Sequence, residues 1–133
     1  MKITKRIHFF ALDVRTWLKT KIGFWCFALS LAFLLLTILL PVWRIVPLAA
    51  SRPFIPLHYN IYLGVDQLGP WHQIFLVPAI GFGLIVFNVF LQTVAFRKEK
   101  LLAIMVAVAT VLIQLMLLLA MVLIVLLNLS YAA

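Results

Sequence analysis

Two imidazoles and one carboxylate, His58, Asp66 and His72, stand close together in a chain otherwise poor in reactive side chains. Such a set suits zinc. A hydrolytic centre would need a nucleophile beside an orienting base, and Ser51, Tyr59 and Tyr62 are the nearby hydroxyls. The spacing, seven and then five intervening residues, matches no recognised ligand signature. A third reading therefore leads, in which these side chains satisfy loop backbone and helix ends. In it Asp66 caps the turn before Pro70 and pairs with Arg52. No catalytic residue, metal or cofactor is expected. Cys26 is the single cysteine and reads as a small packing residue.

A second group is polar or small and set inside long apolar runs: Ser30, Thr37, Gly81, Gly83, Asn88, Gln92, Thr110 and Gln114. At the rise of a helix, Ser30, Asn88 and Thr110 reach a common depth of roughly 12–14 Å from the basic ends of their segments. Thr37, Gly81 and Gln114 form a second layer at roughly 20–22 Å. Ala103, Ala107, Thr110 and Gln114 share one helical face, as do Gly81, Asn88 and Gln92, and these faces are expected to meet. Small residues and interhelical hydrogen bonds hold helices together in lipid. The alternative use of the same residues is a polar path through an oligomeric pore or transporter subunit. No acidic or basic side chain and no histidine lies within these runs, so the usual mark of a proton relay is missing.

The elements carrying these groups are long and uncharged. Residues 22–43, 74–96 and 101–133 each hold at least the roughly 20 apolar residues that cross a bilayer as a helix. Hydrophobic residues make up 67% of the 133 and charged residues 11%, with a mean hydropathy of +1.23. Soluble domains hold about half and a quarter, so a water-soluble fold is excluded. The expected fold class is an all-α integral membrane protein of one domain. Its spans are placed at 22–46, 70–96 and 101–128, and an outer loop at 47–69. Pro41 is expected to break or kink the first span, and Pro78 to bend the second.

Charge sets the expected orientation. Lys2, Lys5, Arg6, Arg15, Lys19, Lys21, Arg97, Lys98 and Lys100 fall on one side of three spans, and Arg44 and Arg52 on the other. The positive-inside rule puts the first group in the cytoplasm. The chain then sits in the cell membrane as a multi-pass protein with its N-terminus inside and its C-terminus outside. Basic residues beside spans meet anionic lipid, which accounts for the net charge of +8 without nucleic acid. Ile3, Ile7, Phe10, Val14, Trp17 and Leu18 recur at helical spacing, so residues 1–21 are expected to form a basic amphipathic helix lying in the interface. The basic start and the length of the following apolar run read as an uncleaved first span rather than a signal peptide.

The outer segment from Pro47 to His72 holds four of the six prolines and two of the three histidines. Leu57, Tyr59, Ile61 and Leu63 alternate with His58, Asn60, Tyr62 and Gly64, which predicts a short extended piece. Gly64 and Gly69-Pro70 are expected turns. Pro56-x-His58-Tyr59-Asn60, then Gly64-x-Asp66, lies between two apolar helices over 29–91. This pattern resembles the uncharacterised N-terminal domain of bacterial membrane proteins such as the sporulation-delaying-toxin immunity proteins. The resemblance implies a toxin-immunity or signalling role. The leading expectation is a small non-enzymatic membrane protein that acts by binding, as a homo-oligomer or part of a larger complex. Its recognition surface would comprise His58, Tyr59, Asn60, Gly64, Asp66, Trp71 and His72. A metal-dependent membrane enzyme is the least favoured reading.

Overall fold

The computed structural model describes residues 13–131; the amphipathic pattern over 1–12 lies outside them. Residues 13–18 are helical and a turn follows at 19–20. The Thr20 hydroxyl accepts from the Gly23 amide at 3.1 Å and donates to the Trp17 carbonyl at 2.7 Å. It therefore caps a new helix while closing the preceding segment. That helix, α1 (Lys21–Arg44), runs through Pro41 for three more residues, so the proline does not end it. A single 3-10 turn, Val46–Leu48, follows.

Helix α2 (Leu76–Lys98) is preceded by a 3-10 turn, Trp71–Phe75, so regular helix starts later than the 70 expected. Pro78 falls in its first turn, where a missing amide costs no intrahelical bond. Glu99, extended at φ −144°, is all that separates α2 from α3 (Lys100–Ser130). The two therefore fold back as the expected antiparallel hairpin. At 31 residues, α3 is about 46 Å long.

All three helices are long and apolar enough to cross a membrane. Apart from Thr93 on α2, their buried residues recur at heptad spacing: Gly23, Ser30, Leu34, Thr37 and Pro41 on α1; Pro78, Gly81, Ile85, Asn88, Gln92 and Ala95 on α2. On α3 the stripe is Ala103, Ala107, Thr110, Gln114, Met121, Val125 and Asn128. The inside is thus mostly small or polar. Large apolar side chains such as Phe24, Leu35, Phe87, Leu112 and Leu123 point outward. This inverts the distribution of a soluble core and is what lipid-facing helices require. Helix α3 lies between the other two, which diverge to leave an apolar groove of about 440 Å³ beside Phe27, Phe82 and Phe90.

Gly83 does not join the packing. It lies about 200° around the helix from Gly81, faces outward, and a side chain there would meet nothing. Gly81 is a true node: a Cβ on it would stand 3.0 Å from Gln114 Oε1, 3.2 Å from Leu117 and 3.3 Å from Leu34.

The all-α expectation needs one correction. The outer segment forms a two-stranded antiparallel sheet of β1 (Phe54–Asn60) and β2 (Gly64–Pro70). Gly69-Pro70, expected as a turn, closes strand β2 instead, with Gly69 opposite Ile55 and Pro70 opposite Phe54.

Candidate functional site

The hairpin is built by the residues that stand out in the sequence. Gly64 sits at φ +76°, a left-handed conformation that costs other residues about 1–2 kcal/mol. Asn60 Oδ1 accepts from the Tyr62 amide at 2.9 Å, the local turn that asparagine favours. Pro56 pairs with Leu68, His58 with Gln67 and Tyr59 with Val65. Leu57 and Asp66 are therefore each the extra residue on their own strand, and the two bulges restore the register. Leu57 is half-buried against the core, and the Asp66 carboxylate accepts from His58 Nδ1 at 2.7 Å.

This hairpin is pinned to one end of the helices. Asn128 on α3 donates to the Pro56 carbonyl at 2.7 Å, and the Trp71 amide donates to the Pro53 carbonyl at 3.2 Å. Arg52 donates to the Tyr131 carbonyl at 2.6 Å, so its expected pairing with Asp66 is replaced by a hold on the end of α3. Beneath, Ile45, Ile55, Ile74, Met121 and Val125 form one buried cluster.

Of the residues picked out for binding, His58, Tyr59, Asn60, Gly64 and Asp66 share the hairpin. Trp71 and His72 lie at its base, with Trp71 set edge-on to both His72 and Phe75. His72 does not join His58 and Asp66. Among the described residues no three His, Cys, Asp or Glu side chains gather where they could hold a metal. Between the strands stand three residues that sequence reasoning does not select as a site: Ile61, Tyr62 and Leu63 are 82%, 93% and 77% exposed. The signal lies in the Asn60 and Gly64 that bracket them, since Asn and Gly at the ends of a three-residue loop mark a hairpin tip. The pattern His58, Asn60, Gly64, Asp66 shapes the hairpin, and the tip is what it displays.

The opposite end has a different construction. Trp17 is 1% exposed and donates from Nε1 to Gln92 Oε1 at 2.9 Å. It packs against Ala95, Phe96, Ala103 and Ala107. A Cβ on Gly23 would stand 2.5 Å from the Trp17 carbonyl, so glycine alone fits this approach. Asp13 pairs with Arg97. The expected role of Trp17, anchoring a helix in lipid, gives way to that of a plug in the protein, because small residues on α2 and α3 leave a socket of its size.

Asn88, Gln92 and Thr110 meet one another and Gln114 meets Gly81, while Ser30 and Thr37 form no bond to the other helices. Asn88 Nδ2 and Gln92 Nε2 donate to Thr110 Oγ1 at 3.0 and 3.3 Å, and Gln114 Nε2 donates to the Gly81 carbonyl at 2.8 Å. Thr37 bonds back to the Phe33 carbonyl, while Ser30 Oγ and Gln114 Oε1 are buried without a partner. Comparison with known proteins gives no matching family model, no matching curated protein and no matching solved structure.

Proposed function

We propose that this chain is a non-enzymatic binding protein of the cell membrane. Its three helices cross the bilayer with the basic end in the cytoplasm, and its hairpin is held outside as the recognition element. One observation carries the reading: the fold uses two bulges, a left-handed glycine and three links to the helix ends to hold Ile61, Tyr62 and Leu63 out in the open. Exposed large apolar residues rimmed by polar ones mark interaction sites. The partner is a protein with an apolar pocket for the Tyr62 ring and hydrogen-bonding groups around it. An immunity-type role, in which the hairpin captures a secreted toxin, is the version that the His58-Tyr59-Asn60 pattern implies. Arg15, Lys19, Lys21, Arg97, Lys98 and Lys100 meet anionic lipid on the inner face.

A pore between copies is less well supported, because Asn88, Gln92, Thr110 and Gln114 turn into their own protomer and are at most 8% exposed. A photo-crosslinking residue at position 62 in intact cells tests the binding reading. It should yield one discrete protein adduct, lost when Ile61 and Leu63 are both changed to Ser. Adducts with lipid alone would refute it.

A further inference from the structure

The hairpin overhangs the helix ends and leaves a hollow of about 570 Å³ beneath it, within the usual range of ligand sites. Its lining is divided by chemistry. Gln67 on β2 with His72 and Gln73 on the 3-10 turn supply polar groups, while Leu57, Val77 on α2 and Ile124 on α3 supply apolar wall. All three polar residues are exposed, so each has donors and acceptors to offer.

We infer that this hollow is a binding site for one lipid molecule whose headgroup carries no net charge and both donates and accepts hydrogen bonds. The apolar wall of Leu57, Val77 and Ile124 takes the start of an acyl chain. Gln67, His72 and Gln73 take the head. The lining holds no Lys, Arg, Asp or Glu, so an anionic headgroup would bring a net charge that nothing there balances, whereas a zwitterion carries its own counter-charge. Two amide side chains, each both donor and acceptor, suit an ammonium and a phosphate oxygen at once. Phosphatidylethanolamine has this chemistry. The inference rests on the bilayer placement proposed above and not on the partner of the hairpin tip.

Native mass spectrometry of the full chain released from detergent micelles, with phosphatidylethanolamine or phosphatidylglycerol added, tests it. One phosphatidylethanolamine should be retained per chain, at about tenfold lower lipid concentration than phosphatidylglycerol. Val77→Trp, which fills the hollow, should abolish that single adduct, and Met116→Trp on the open face of α3 should leave it intact. Gln67→Leu with Gln73→Leu should erase the preference while preserving the hollow, which covers the case of a poorly folded Val77→Trp. Equal retention of both lipids by the unaltered chain, or a single adduct that survives Val77→Trp, would overturn the site. Loss of the discrete adduct with surrounding lipid still carried would count against the site alone; a chain carrying no lipid of any kind would count against the bilayer placement.

Discussion

Gln114 has one end of its amide bonded and the other buried without a partner, whereas the hydroxyl of Thr110 accepts from Asn88 and Gln92 and donates to the Val106 carbonyl. The two residues look alike in sequence and should behave oppositely. Replacing Gln114 by Leu removes one bond and one unpaired acceptor together, so we expect a change within about 1 kcal/mol. Replacing Thr110 by Val strands two buried donors and should destabilise by about 1–3 kcal/mol. Reversible unfolding of the reconstituted chain, measured for both variants side by side, checks the contrast. Gly81→Leu should be costlier than Gln114→Leu, at about 1–3 kcal/mol of overpacking, because three side chains already stand within 3.3 Å of the added carbon. The meeting of Asn88 with Thr110 and of Gly81 with Gln114 is legible in the sequence, since helical rise alone puts each pair at one depth. Gly83 is not, because small size says nothing about which side of a helix a residue faces.

At the scale of elements, the helices are legible in the sequence and the pieces at their two ends less so. Apolar run length marks a span whatever surrounds it, but the hairpin depends on tertiary holds. Asn128 reaches it from α3, and bulges at Leu57 and Asp66 break the period-two pattern that identifies strands. Gly64→Ala should therefore loosen the hairpin by about 1–2 kcal/mol, seen as faster amide exchange in 54–70 with exchange in α2 and α3 unchanged. The segment around Trp17 reads as amphipathic, and its docking becomes evident only once Ala95, Ala103 and Ala107 are seen to form one socket. Trp17→Ala should cost about 3–5 kcal/mol by leaving that socket empty. Trp17→Phe should cost less, the lost bond to Gln92 being worth about 1 kcal/mol. Protease sensitivity of the segment around Arg15 and Lys19 orders the two variants.

For the whole molecule, the arrangement of surfaces matters more than any single contact. A bundle with Ser30, Thr37, Asn88 and Gln114 inside and Phe24, Leu35, Leu112 and Leu123 outside is stable where oil surrounds it. In such a setting the two ends of the bundle differ in kind. One carries basic residues and the Trp17 plug, the other the hairpin with its bare apolar tip. In the orientation proposed above, charge decides which end meets which compartment, with Arg15, Lys19, Lys21, Arg97, Lys98 and Lys100 gathered opposite Tyr62. Single-cysteine labelling on intact cells, in a Cys26→Ala background, measures this directly. The Tyr62→Cys chain should react with a membrane-impermeant maleimide before lysis, and the Lys98→Cys chain only after it. Reaction at position 98 in intact cells, with position 62 shielded until lysis, would contradict the account.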